Sequence, residues 1–273
     1  AVFLHRRKEG FSMAILTVNR LTKSFGGLTA VSNVDMVINE GELVGLIGPN
    51  GAGKTTVFNL LTGVYEPTKG TIFLSRDGKE KALHGLKPYT ICKEGVARTF
   101  QNIRLFRDLT VLDNVRIAMH QNARYGLLSS FFHLPSYKRE EERILEESLN
   151  LLRILKLDHK KDELAKNLPY GEQRHLEIAR ALATNPVMLL LDEPAAGMNP
   201  AETAQLTELI SWIRKEFKLT ILLIEHDMSL VMKICERIYV LDYGMVIAEG
   251  TPEEIKNNKR VIEAYLGEDV SDA

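Results

Sequence analysis

Glu42-Leu-Val-Gly-Leu-Ile-Gly48-Pro-Asn-Gly-Ala-Gly-Lys-Thr-Thr56 sets a short apolar run directly against a glycine-rich stretch that ends in Lys-Thr-Thr. The run reads as a buried strand, and roughly Lys54 to Leu61 reads as a helix ended by Gly63. Gly48 to Thr55 fits G-x-x-x-x-G-K-[ST], in the strand-before, helix-after context that pattern needs. The glycines let successive amides curl around an anion, and the helix start adds partial positive charge. Lys54 neutralises phosphate charge in this reading, and the Thr55 hydroxyl ligates Mg2+. Gly48, Pro49, Asn50, Gly51, Ala52, Gly53, Lys54, Thr55 and Thr56 together therefore read as a nucleotide site rather than an ordinary glycine-rich turn.

Outward from this loop the chain alternates. Ile15 to Val44 carries short β-like runs punctuated by Gly26-Gly27 and Asn39-Glu-Gly41, and Thr71 to Leu74 follows the turn Glu66-Pro-Thr-Lys-Gly70. From about Thr99 to Leu168 the character is helical, with Ile144, Leu145, Leu149, Leu152 and Leu155 at helical spacing. Gln121 to Tyr137, with Gly126 and Pro135, reads as a loop or short helices within it. Apolar runs then resume at Val187 to Leu191, Leu219 to Ile224 and Arg237 to Leu241, separated by helices, one spanning about Pro200 to Phe217. Strands alternating with helices imply an α/β fold with a mostly parallel sheet covered on both faces.

Two of these runs end in polar groups. Val187-Met-Leu-Leu-Leu-Asp192-Glu193-Pro194 places two carboxylates at a strand C-terminus, where ligands sit in open α/β sheets. Asp192 suits a magnesium shell through water, and Glu193 suits a general base for an attacking water. Leu219-Thr-Ile-Leu-Leu-Ile-Glu-His226 repeats the pattern, so His226 is expected to reach the γ-phosphate and hold the water or Glu193 in place. His175 reads instead as a solvated helix residue. On spacing alone Gln101 is a polar loop residue and Phe25 an ordinary strand aromatic. Asn167-Leu-Pro-Tyr-Gly-Glu-Gln-Arg-His opens a further helix with Pro169 and Gly171, offering bare amides as a second phosphate-binding end.

Bulk properties exclude several classes. Lys plus Arg is 35 and Asp plus Glu is 36, giving a net charge of −1, so there is no broad basic footprint for nucleic acid. The two cysteines, Cys92 and Cys235, stand far apart outside any metal-ligand spacing and read as buried small apolar residues. No apolar run approaches the roughly 20 residues that span a bilayer. Residues 1–13 have a basic cluster without an apolar core after it, which excludes a secretion signal; translation is expected to start at Met13, with an N-terminal extension before it.

The order of phosphate loop, Gln101, the Leu168 to Gln173 segment, Asp192-Glu193 and His226 resembles the ATP-binding cassette (ABC) ATPases, from Ile15 to Gly267. The resemblance implies a P-loop NTPase fold with a mostly parallel core sheet, an antiparallel β subdomain and an inserted helical subdomain. Residues 14–273 would form one ATPase domain, with 14–98 and 183–273 as core and β subdomain and 99–182 as the helical subdomain. It implies that Phe25 stacks on adenine and that Gln101 touches both Mg2+ and the transport partner. Two such domains would face head to tail, so Tyr170, Gly171 and Glu172 would serve the ATP of the opposite chain. Two departures stand out. Pro169 and Tyr170 replace the usual Ser-Gly of the signature, and Asn199 replaces a usual Asp. The stretches RTFQNIRLF, DEPAAGMNP, LLIEHDMSLVM and GTPEEIKNNKRVIEAYLG resemble the first ATPase subunit of branched-chain amino-acid importers. That implies ATP hydrolysis driving uptake of Leu, Ile or Val, a second ATPase subunit, permease subunits, a separate binding protein, and a place on the inner face of the cell membrane. The competing readings are the same motor with another cargo, including lipid or polysaccharide export, and a nucleotide-gated switch acting on nucleic acid or ribosomes.

Overall fold

Two long strands open the fold, β1 (Ala14–Phe25) and β2 (Leu28–Asn39), joined at Gly26-Gly27 with Gly26 at φ 58°. In β2 the side chains of Val34, Met36 and Ile38 are buried while Asp35 and Val37 are exposed, the period-two pattern of a half-buried strand. The coordinates are a computed structural model in which residues 13–123, 130–132 and 134–266 are described. The order continues through β3 (Leu43–Ile47), α1 (Lys54–Leu61), β4 (Lys69–Arg76), β5 (Lys79–Ala82), α2 (Pro88–Lys93), β6 (Val96–Arg98), α3 (Val111–Met119), α4 (Pro135–Ile154) and α5 (Tyr170–Leu182). It ends with β7 (Met188–Asp192), α6 (Pro200–Glu216), β8 (Thr220–Ile224), α7 (Met228–Ile234), β9 (Arg237–Asp242), β10 (Met245–Gly250), α8 (Pro252–Lys256) and α9 (Lys259–Leu266).

The chain divides into two compact units. The first runs through Gly85 and adds Ile213–Ile221 and the chain from Cys235 onward. It holds an antiparallel sheet of order β2-β1-β4-β5. It also holds the run β10-β9-β3, in which β9 pairs antiparallel with β10 and parallel with β3. Every residue of β3 is buried, as expected of a parallel strand covered on both faces. The second unit, Leu86–Trp212 with Leu222–Ile234, holds β6, β7 and the last three residues of β8, where β6 and β7 are parallel with Val96 opposite Met188. Its helices α3, α4 and α5 pack together. The parallel core strands and the antiparallel sheet match the α/β architecture expected from the sequence.

Several details differ from the sequence reading. The helical stretch begins at Val111, because Thr110 caps α3 by accepting from the Asp113 amide; residues 99–109 form no helix. Pro135 starts the 20-residue α4 rather than sitting in a loop, since proline is tolerated in a first helical turn. Gly126 and the N-terminal extension lie outside the described residues. The buried stripe of α4 runs through Glu140, Ile144, Ser148, Leu151 and Leu152, while Leu145 is exposed. Polar side chains thus share the buried face, and the apolar count alone placed the stripe slightly around the helix. His175 is half-buried rather than solvated, and Cys92 is only partly covered, whereas Cys235 is buried. Among the described residues no helix is long and apolar enough to cross a membrane.

Candidate functional site

In the first unit the loop between β3 and α1 is shaped by its glycines. Gly48 has φ 150° and Gly53 φ 101°, and a Cβ on Gly53 would lie 2.6 Å from the Ala30 carbonyl oxygen. A Cβ on Gly48 would collide with the Leu241 carbonyl of β9. Both positions therefore require glycine for space and for backbone conformation. Gly53 caps α1 without a side-chain hydrogen bond, so the first-turn amides have no side-chain acceptor at the cap. Lys54 is buried, and its Nζ donates to the Gly48 and Pro49 carbonyls at 2.6 and 2.9 Å, which centres a positive charge in the loop. The Thr55 side chain is exposed. Beside the loop opens a cavity of about 660 Å³, bordered by Asn50, Gly51, Asp242 and, from α9, Arg260 and Glu263.

Phe25 ends β1 half-exposed, its ring edge-to-face with Tyr65 at 5.2 Å. Lys23 Nζ sits 5.0 Å from the Phe25 ring centre. Tyr65 and Lys23 escaped the sequence reading, because nothing in their spacing ties them to Phe25.

In the second unit, Gln101, Glu193 and His226 meet. Gln101 Nε2 donates to Glu193 Oε2 at 2.6 Å, and His226 Nε2 lies 2.8 Å from Glu193 Oε1. An ionised carboxylate only accepts, so the hydrogen of that second contact belongs to the imidazole. Glu193 itself has φ 47°, a left-handed conformation that costs a side-chain-bearing residue about 1–2 kcal/mol. Its amide is held by the Ile224 carbonyl at the end of β8, at 2.9 Å. Asp192 is almost fully buried and pairs with Arg98 NH2 at 2.6 Å. Arg98 was missed by the sequence reading, although β6 lies parallel to β7 and carries it to the carboxylate.

Tyr170, Gly171 and Glu172 form the first turn of α5, with Pro169 and Tyr170 exposed and no side-chain cap. Glu172 is held by Lys160 at 2.7 Å. The Tyr170 hydroxyl accepts from Arg174 NH2 at 3.2 Å, which leaves its own hydrogen available to donate. Arg174 is fully buried, pairs with Glu177 at 2.7 Å and donates to the Phe100 and Gln101 carbonyls. Glu177 in turn accepts from the amides of Phe100 and Arg104, and burial raises its pKa above the usual carboxylate value. One buried ion pair thus ties the segment bearing Gln101 to α5. Asn199, the second departure in the sequence, exchanges hydrogen bonds with Glu202 at 3.0 Å in both directions, a reciprocal cap for α6 that Asn supplies as well as Asp.

These positions fit nucleotide and Mg2+. In the loop, Gly48 and Gly53 leave no room for a side chain, Lys54 supplies the charge and Thr55 an exposed hydroxyl. In the second unit, Gln101 and Asp192 carry hard oxygen donors of the kind Mg2+ takes. Among the described residues there is no cluster of three His, Cys, Asp or Glu side chains that could hold a metal by itself.

The family model described as ABC transporter matches residues 31–196, and one described as branched-chain amino acid ATP-binding cassette transporter matches residues 245–271. The chain is 52% identical over 257 residues to the high-affinity branched-chain amino acid transport ATP-binding protein LivG of Salmonella typhimurium, covering 94% of this chain and 99% of that protein. It is 37% identical over 256 residues to the lipopolysaccharide export system ATP-binding protein LptB of Haemophilus influenzae, with 94% and 98% covered. A solved nucleotide-free ATP-binding cassette from an ABC transporter superposes with a TM-score of 0.80 at 33% identity, covering 94% of this chain and all of that one. A dimeric bacterial ABC transporter cassette gives 0.73 at 25% identity, covering 87% and 99%. With its phosphate loop, its Glu193 cluster and these likenesses over nearly its full length, the chain belongs to the ABC transporter family, as an ATP-binding ATPase of the branched-chain amino acid branch.

Proposed function

We propose that this chain is the ATP-hydrolysing motor subunit of an importer for branched-chain amino acids. The observation that carries the hydrolytic part is Glu193, held between Gln101 and His226 at hydrogen-bond distance on both oxygens. In this reading the Gly48–Thr56 amides and Lys54 bind the nucleotide phosphates, and Phe25 offers its exposed ring to adenine. A bound Mg2+ would supply charge neutralisation on the phosphates, with Thr55, Gln101 and Asp192 as its protein partners. Arg98 fixes one Asp192 oxygen and so holds the carboxylate with which Asp192 would serve the ion. Gln101, whose amide holds one Glu193 oxygen, would position that carboxylate, and Glu193 takes a proton from water. His226 keeps the carboxylate oriented during that transfer.

A second cassette, a copy or a sibling, completes the site. The exposed, uncapped start of α5 supports this, because it presents amides and the helix dipole outward from the fold. Permease subunits in the membrane, a separate binding protein and a position on the inner membrane face follow from the importer reading. The greater identity to LivG than to LptB favours amino-acid uptake over lipopolysaccharide export.

The test is Glu193→Gln. ATP binding should persist, turnover should fall by about 10²–10⁴-fold, and an ATP-bound dimer should accumulate on size exclusion. Multiple-turnover phosphate release at the native rate would refute the general-base role. Cargo is tested separately, by co-purifying the membrane subunits and assaying ATP-driven uptake of labelled leucine into vesicles.

A further inference from the structure

Glu225 precedes His226 and is almost completely buried, yet a carboxylate there has no part in the chemistry described above. Its Oε1 accepts from the Ala195 amide at 2.7 Å, two residues beyond Glu193. Its Oε2 accepts from the His226 amide at 3.0 Å and from the Asp227 amide at 3.5 Å. The neighbouring residue Ile224 holds the Glu193 amide with its carbonyl. Two consecutive residues at the exit of β8 therefore grip the strained turn at Glu193, one by backbone and one by side chain. A buried charge is retained only when its acceptors are satisfied, and here three amides satisfy it.

We propose that Glu225 is a positioning residue of the hydrolytic centre: its two carboxylate oxygens tie the turn after Glu193 to the segment bearing His226, and so fix the Glu193–His226 contact. The proposal rests on the roles given above to Glu193 and His226. The charged and titratable groups that face Glu225 are Glu193, His226 and Asp227. Burial and the nearby Glu193 raise its pKa, while the three amides oppose that shift. Glutamine at this position keeps the volume and one acceptor. Its amide nitrogen cannot accept, so one of the two ties is lost.

The experiment uses the full chain and measures steady-state ATPase and, separately, affinity for a fluorescent ATP analogue. For Glu225→Gln, kcat is expected to fall on the order of 10–100-fold, since small misplacements of a catalytic group have that effect. ATP-analogue affinity should stay within about twofold, because the phosphate loop is untouched. Added to His226→Ala, the same change should lower kcat by less than about threefold more, as for residues acting as one unit. An unchanged kcat overturns the proposal. So does a parallel loss of kcat and affinity, or a full additive loss in the double variant. If Glu225→Gln does not fold, Glu225→Asp, which keeps the charge and shortens the reach, carries the same expectations. Glu193→Gln separates the two readings. Native turnover in that variant removes the base assignment itself, whereas an inactive Glu193→Gln beside a fully active Glu225→Gln removes only the role of Glu225.

Discussion

The loop at Gly48–Thr56 and the cluster around Glu193 are built from different materials. The loop is backbone: its shape comes from glycine φ values and close approach to carbonyls, and its single buried charge is tethered to its own peptide oxygens. The cluster is side chains, each held by a partner far away in sequence, with Gln101 and Glu193 92 residues apart and Arg98 and Asp192 94 apart. A backbone site fails when volume is added, and a side-chain site fails when a hydrogen-bond partner is removed. Each kind of site can be broken in its own way.

The loop should break most completely. Gly48→Ala adds one methyl group, which would occupy the position of the Leu241 carbonyl, and β9 cannot yield without giving up its pairing with β3. ATP affinity is expected to fall at least about 1,000-fold, equivalent to about 4 kcal/mol, by titration calorimetry. Near-native ATP binding in Gly48→Ala would contradict the backbone account of the loop.

The side-chain region should break through a loss of charge balance. Arg174→Leu leaves Glu177 buried beside the amides of Phe100 and Arg104 without its cation. Removing one partner of a buried pair costs about 3–5 kcal/mol, whereas replacing both by apolar groups costs much less. Urea unfolding should therefore show a large loss for Arg174→Leu and a substantial recovery in Arg174→Leu with Glu177→Leu. The double variant should still hydrolyse ATP poorly, because Arg174 also holds the Phe100 and Gln101 carbonyls. Equal destabilisation of single and double variants would mean that the pair acts through packing alone.

The same contrast explains what could be read from the sequence. The phosphate loop is contiguous, so its pattern, its strand and its helix from Lys54 to Leu61 were all legible, as were the fully apolar strands that became β3, β7 and β8. Asp192, Glu193 and His226 were legible because each sits at or just past the end of such a strand. Gln101 was assigned to the site only through resemblance, since Glu193, its hydrogen-bond partner, lies far along the chain. Arg98, Arg174, Glu177 and Glu225 were not singled out. On a helix or beside a histidine a charged residue looks solvated, and only the fold shows that these are buried between peptide groups. Short strands such as β5, exposed along most of its length, carry too little apolar alternation to be seen. His175 misled for the same reason as Arg174, because the charged background of α5 hides how much of that helix is covered.

His175 also gives the smallest and sharpest contrast, because peptide amides do not titrate near neutrality and a histidine side chain does. Burial lowers the His175 pKa from 6.5; Lys156 lowers it further, and Glu172 partly opposes this. The folded chain therefore holds this proton less readily than the unfolded chain. Well above pH 6.5 neither state is protonated and stability is unaffected. As pH falls below that value the unfolded chain takes up the proton first, so stability declines until the folded pKa is passed, and then the loss stops growing. His175→Gln removes this one contribution. Melting curves at pH 7.5 and pH 5 should show the native chain losing about 1 °C more than the variant across the interval, a size consistent with a few tenths of a kcal/mol in a chain of this length. An identical acid loss in both proteins would show that His175 does not contribute to it; the buried carboxylates Glu177 and Glu225 could not be its source either, because their raised pKa values favour the folded state as they gain protons.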